Sequence, residues 1–114
     1  MSKKGASALP SFAAGSWVTG KGEGAIVEHA VTGEQLYRVS SEGVDFSGMH
    51  SYARDLGGPA LRSLSFHRRA LLLKALAQHL MTRKEVFYER SGATGATRTD
   101  SWIDIEGGIG TLFT

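Results

Sequence analysis

Thr97-Arg98-Thr99-Asp100-Ser101-Trp102-Ile103-Asp104-Ile105-Glu106-Gly107-Gly108-Ile109-Gly110-Thr111-Leu112-Phe113-Thr114 closes the chain. Trp102, Ile105, Ile109 and Leu112 or Phe113 recur at the spacing of one helical face, which predicts a helix over 99–113. Gly107, Gly108 and Gly110 each lower its propensity by about 1 kcal/mol relative to Ala. Three glycines in one helix point to close packing against another backbone. No cap, glycine or polar tail follows the stripe. A free-standing domain seldom stops in the middle of an apolar face, so these residues are expected to open a longer fold.

Working back from that run, the spacing predicts three further helices. Thr82-Arg83-Lys84-Glu85 has the pattern of a capping box and opens a helix over 83–91, closed by Gly92 and Gly95. Ser65 caps a long helix over 65–81, in which Phe66, Ala70, Leu73, Ala77 and Leu80 form one stripe. Asp45 caps a helix over 45–56, with Met49, Tyr52, Ala53 and Leu56 on one face. Gly57-Gly58 supplies a left-handed stop and Pro59 prevents continuation. Further back, 16–40 reads as short strands. Ser16-Trp17-Val18-Thr19 and Ala25-Ile26-Val27-Glu28-His29 flank the glycine-rich loop 20–24 and suggest a hairpin. A third strand follows over 35–40, after the turn Thr32-Gly33-Glu34. Residues 1–10 read as a flexible tail. The fold class is α/β: an N-terminal hairpin and short strands, then about four helices.

With 114 residues this is one small domain at most. A complete domain of that size would bury about 65% of its unfolded surface. The 41% hydrophobic and 21% charged shares are those of a globular chain. The absence of cysteine removes disulfides, Cys-ligated zinc, iron–sulfur clusters and thiol nucleophiles. No apolar run approaches the roughly 20 residues that cross a bilayer, and no signal-like segment opens the chain. A cytoplasmic location is expected.

The net charge is +2, unevenly spread. Residues 62–90 carry Arg62, Arg68, Arg69, Lys74, Arg83, Lys84 and Arg90 against Glu85 and Glu89. Such a block suits either a solvated helix face or a small basic helical module that binds nucleic acid or a protein partner. Nucleic acid is the weaker reading.

The usual catalytic arrangements are missing. His29, His50, His67 and His79 have no i, i+3 or i, i+4 pairing, and so form no metal-binding motif. Gly107-Gly108-Ile109-Gly110 lacks the spacing and the lysine of a phosphate loop. Asp100, Asp104 and Glu106 cluster near Trp102. They could serve acid–base chemistry in a cleft, or simply favour the start of a helix. No catalytic, cofactor-binding or metal-ligating residue is assigned.

The run Thr94-Gly95-Ala96-Thr97 through Leu112-Phe113 resembles the N-terminal region of one branch of the aldehyde dehydrogenases. That branch acts on CoA-thioester semialdehydes in aerobic aromatic degradation, in the phenylacetate and benzoyl-CoA routes. Gly15-Ser16-Trp17 resembles the family's opening strand, and Val31-Thr32-Gly33-Glu34 its strand-loop after the hairpin. Gly57-Gly58-Pro59-Ala60-Leu61-Arg62 and Phe66-His67-Arg68-Arg69-Ala70 resemble its helix entry. The likeness covers about residues 11–114. It implies an incomplete portion of the aldehyde dehydrogenase fold, with the hairpin in the bridging or oligomerisation sheet and the helices against the cofactor-binding domain. The parent is expected to be an NADP-dependent homo-oligomer whose catalytic cysteine, glutamate and asparagine and whose nucleotide-binding strands lie downstream. The segment alone would bind no cofactor, lack dehydrogenase activity and expose apolar surface. Its partner would be the remainder of the dehydrogenase chain, with Trp17, Leu73, Leu76, Leu80 and Trp102 as packing anchors.

Overall fold

The computed structural model describes residues 6–114. They form two compact units, divided between Leu61 and Arg62. The first holds the strands and a helical run, the second the remaining helices.

In the first unit, β1 (Ser7–Ala8) runs parallel to β5 (Gln35–Val39), whose other edge takes β4 (Ala25–Glu28) antiparallel. A separate hairpin pairs β2 (Ser11–Ala13) with β3 (Ser16–Val18). This corrects two expectations. The 16–19 strand does not pair with 25–29; its partner is 11–13. The expected tail contributes a strand at 7–8, while residues 1–5 lie outside the described residues. The cause is the two-residue turn Ala14-Gly15, with φ of 47° and 83°. Positive φ at both positions gives the twist that a tight hairpin needs. Phe12 and Trp17 then face each other across the strands, ring centroids 5.1 Å apart and edge to face.

The glycine-rich loop 20–24 is not the hairpin turn. It lies back on the end of β5: Lys21 N donates to the Glu42 carbonyl at 2.9 Å and Arg38 Nη1 to the Gly22 carbonyl at 2.7 Å. A Cβ on Gly20 would overlap the Ser40 carbonyl, so the backbone itself requires glycine there. The β4–β5 turn is organised by His29, whose Nδ1 accepts from Val31 N at 3.2 Å.

Asp45 caps α1 (Phe46–Tyr52) by accepting from Gly48 N at 2.8 Å. The expected stop at Gly57-Gly58 does not occur. The chain continues through a π turn (Ala53–Gly57) into α2 (Gly58–Arg62), and Gly58 keeps a right-handed φ of −59°. Gly58 N–H donates to Ala53 O, five residues back. The wider turn falls just ahead of Pro59, whose ring would crowd the carbonyl four residues earlier in a regular helix.

In the second unit, Ser65 caps α3 (Phe66–Thr82) by accepting from Arg68 N at 3.2 Å. The helix breaks at Arg83, and α4 (Lys84–Ala93) follows. The expected capping box does not form, because Thr82 Oγ1 donates back to the His79 carbonyl at 2.7 Å. Gly92 lies inside α4, and Gly95, with φ of 89°, follows it. Thr97 caps α5 (Arg98–Trp102), which runs through a second π turn (Ile103–Gly107) into α6 (Gly108–Gly110) and a closing 3₁₀ turn (Thr111–Phe113). The π turn rotates Trp102 away from the face that holds Ile109: Trp102 is 57% exposed and Ile109 6%.

The core is small. Among the described residues the buried side chains are Ala13 in the first unit and Ala77, Tyr88, Ser101 and Ile109 in the second. The chain exposes 8800 Å², whereas two separate compact domains of half its mass would expose roughly 7,300 Å². Folding buries only about half of the unfolded surface by the same scaling, short of the expectation for a complete domain. Of the residues expected to anchor the segment to the remainder of its parent, Trp17, Leu73, Leu76 and Trp102 are exposed here and Leu80 is half-buried. Trp17 is 70% exposed, and Leu73 and Leu76 are each nearly half exposed. Among the described residues no backbone comes close to Gly107, Gly108 or Gly110, for a Cβ at any of them would meet nothing within 4 Å.

Candidate functional site

The second unit gathers its polar side chains between α4 and the 98–113 run. Lys84 and Tyr88 stand one helical turn apart and face the same way. Both reach Glu106 Oε1: the Tyr88 hydroxyl donates at 2.8 Å and Lys84 Nζ at 3.1 Å. The Arg98 guanidinium lies 3.7 Å from the centre of the Tyr88 ring, a cation–π contact, and approaches Glu85 at 3.7 Å. One turn along, buried Ser101 donates its hydroxyl to Ser91 Oγ at 2.8 Å, which lets α4 and α5 approach closely. A cleft of about 310 Å³ opens beside the cluster, lined by Tyr88, Arg98, Thr99, Trp102 and Glu106.

The electrostatics separate the two acids. The Tyr88 hydrogen bond, then that of Lys84, hold the Glu106 carboxyl below its ordinary 4.5. Burial, then the Glu106 carboxylate, push the Tyr88 phenol above its ordinary 10.0. A general acid or base works best with a pKa near the operating pH. Here the carboxylate becomes less basic and the phenol less acidic. The cluster is a clamp that fixes the π turn against α4.

The three carboxylates read together from the sequence are parted by the fold. Asp100 stays at the start of α5, where its Oδ2 accepts from Thr97 Oγ1 at 2.7 Å. Asp104 is exposed at the rim of an apolar groove. Glu106 alone joins the clamp. Sequence reasoning missed Tyr88 and Lys84 as its partners; their i, i+4 spacing was the signal that could have found them. The basic block is partly engaged: Arg69 Nε donates to the Leu64 carbonyl at 3.2 Å while its guanidinium lies over Phe66, and Lys84 serves Glu106. No group of His, Asp and Glu able to hold a metal ion occurs among the described residues. No helix among them is long and apolar enough to cross a membrane.

The groove lies on the other side of the 98–113 run. It measures about 380 Å³ and is lined by Leu80, Phe87, Ile105, Gly108, Ile109 and Leu112, with Asp104 at its edge.

No protein-family model matches the chain. A 3,4-dehydroadipyl-CoA semialdehyde dehydrogenase of Aromatoleum evansii is 39% identical to it over 105 residues, which are 91% of this chain and 20% of that enzyme. The chain therefore spans about one fifth of the length of the curated relative it matches. The likeness to the CoA-semialdehyde branch of the dehydrogenases, first read from short motifs, holds along nearly the whole chain, which is homologous to one stretch of such an enzyme.

Proposed function

We propose that the chain is the N-terminal structural segment of an NADP-dependent aldehyde dehydrogenase. The parent enzyme oxidises a CoA-thioester semialdehyde to the acid in the aerobic breakdown of benzoate or phenylacetate, in the cytoplasm and as a homo-oligomer. The observation that carries this reading is the 39% identity across 91% of the chain to a CoA-semialdehyde dehydrogenase. Two features support it. The chain has no cysteine to form the thiohemiacetal of that reaction. Its units also leave large apolar side chains uncovered, as a segment that normally packs against a larger body would.

The role of the segment is to present surfaces, and the clamp around Glu106 keeps the helical unit in shape for that. Two measurements test the reading. The source gene, sequenced past the codon for Thr114, is expected to continue into a cysteine-bearing dehydrogenase body; a stop codon there overturns it. The purified 114-residue chain, given NADP⁺ and 3,4-dehydroadipyl-CoA semialdehyde, is expected to produce no NADPH absorbance. Turnover would overturn the structural role.

A further inference from the structure

We infer that His29 makes the β4–β5 turn sensitive to pH: the turn is latched while the imidazole is neutral and loosens when the ring takes a proton. The turn joins Glu28, the last residue of β4, to Gln35, the first of β5. Two backbone bonds close its base. His29 N donates to the Glu34 carbonyl and Gly33 N to the His29 carbonyl, each at 2.8 Å. Gly33 holds the left-handed φ of 70° that reverses the chain. Inside the turn, Val31 N and Thr32 N both donate to His29 Nδ1, at 3.2 and 3.4 Å. Thr32 Oγ1 in turn accepts from Glu34 N at 3.3 Å.

A ring nitrogen that accepts carries no proton, so these bonds select the neutral imidazole with its hydrogen on Nε2. Asn and Asp commonly hold turns in a similar way, through a side-chain oxygen that accepts from nearby backbone N–H groups. An Asn at position 29 would keep its acceptor whatever the pH. Histidine makes the same bonds conditional, because its charge changes between about pH 5 and 8. A proton on Nδ1 turns the acceptor into a donor that faces two further donors. The Val31 and Thr32 N–H groups then turn to water, while the two bonds at the base remain. The titratable and charged groups on the strands that frame the turn are Glu28 on β4, Glu34 just before β5, and Tyr37 and Arg38 within β5. Tyr37 and Arg38 stand opposite Val27 and Ile26, further from the turn, and the Arg38 guanidinium reaches the Gly22 carbonyl at 2.7 Å. β1, on the far edge of β5, brings only Ser7 and Ala8. Glu28 and Glu34 are therefore the groups to separate from His29 in a titration.

The test is a titration of the 114-residue chain by nuclear magnetic resonance, from about pH 8 to about pH 5. The ring nitrogen shifts are expected to show Nδ1 without a proton at the start. As the ring is protonated, water exchange of the Val31 and Thr32 amides, corrected for its intrinsic pH dependence, is expected to quicken about fivefold, the worth of one net hydrogen bond. The Gly33 amide, bonded to a carbonyl, should change less. His29→Asn is expected to hold both amides at the slow rate throughout, and His29→Ala at the fast rate throughout. A neutral ring that carries its hydrogen on Nδ1 overturns the latch, as does exchange at Val31 and Thr32 that stays constant while the ring titrates. A pH-dependent step that survives in His29→Asn belongs to Glu28 or Glu34 and overturns it too.

Discussion

Gly20 and Gly108 sit in opposite surroundings. At Gly20 the Ser40 carbonyl occupies the space a Cβ would need. At Gly108 that space is empty. In the strand unit Gly20, Gly22 and Gly24 meet close neighbours that lay the 20–24 loop on the end of β5, while Gly33 and Gly57 meet nothing within 4 Å. In the helical unit a Cβ at Gly107, Gly108 or Gly110 would meet nothing within 4 Å among the described residues. The first pattern ties a loop to the end of a strand, and the second leaves open space beside a helix. Trp17 lies in the first unit and Trp102 in the second, so their fluorescence follows the units separately in Trp102→Phe and Trp17→Phe backgrounds.

The largest effect is expected at Gly20. Gly20→Ala must push apart two backbone segments rather than a flexible side chain, and is expected to destabilise the strand unit by about 2–3 kcal/mol. The urea midpoint of the Trp17 signal should fall and that of Trp102 should not. An unchanged Trp17 midpoint would show that the 20–24 loop contributes little to that unit.

Next in size is the clamp. Tyr88→Phe removes the hydroxyl that donates to Glu106 and leaves the carboxylate on Lys84 alone. The Trp102 midpoint is expected to fall, by less than Gly20→Ala lowers that of Trp17. The pH dependence carries the sign. Glu106 has a lowered pKa in the folded chain, so its contribution is complete above the ordinary 4.5 and is lost as pH falls through the lower folded value. Tyr88 has a raised one, so its contribution is complete below the ordinary 10.0 and is lost as pH rises through the higher folded value. Between those limits the Trp102 midpoint should be flat. Tyr88→Phe should flatten the alkaline limb and weaken the acid one. An acid limb identical in Tyr88→Phe and the parent chain would remove the hydroxyl from the clamp.

Gly108→Ala sharpens the comparison from the other side. With open space for the methyl and a right-handed helical φ of −60°, it is expected to stabilise the isolated helical unit by about 0.5–1 kcal/mol. The same change at Gly20 does the opposite. If Gly108→Ala lowers the Trp102 midpoint, the glycine has an internal role after all.

These contrasts follow what was legible in the sequence. Asp45 and Ser65 were readable as caps because each bond closes on a backbone N–H three residues ahead, whereas the cap at Thr97 was not read and the helix was placed over 99–113. The break at Arg83 was readable for a similar local reason, although Thr82 spent its hydroxyl on the turn behind it. The β2–β3 hairpin was not readable, because Ala14-Gly15 lacks the usual Asn or Asp of such a turn. Both π turns were hidden as well. Each inserts a residue into the apolar period, and Gly57-Gly58-Pro59 mimics a helix stop. The Glu106 clamp joins residues 18 and 22 positions apart, beyond the reach of any local pattern. Only the i, i+4 half of it, Lys84 and Tyr88, was in view.

The smallest effect is expected at Ala14, where the strand unit departs from its own economy. Among the described residues Ala14 is the non-glycine residue with positive φ, at 47°, and it occupies the first central position of the β2–β3 turn. A left-handed conformation costs an ordinary L-residue about 1–2 kcal/mol, while Asn tolerates it through local hydrogen bonding. Ala14→Asn is therefore expected to stabilise the hairpin by about 0.5 kcal/mol, read as a small rise in the Trp17 midpoint and a stronger aromatic-exciton signal from Phe12 and Trp17 in circular dichroism. Gly15 must stay as it is, because its φ is 83° and a Cβ there would also come 3.1 Å from the Tyr52 hydroxyl. Ala14→Asn combined with Gly15→Ala should therefore lose more than Asn gains. If the double variant matched Ala14→Asn alone, the tight turn would not be what aligns Phe12 with Trp17. The pairing of 11–13 with 16–18 would then have to come from the aromatic contact itself.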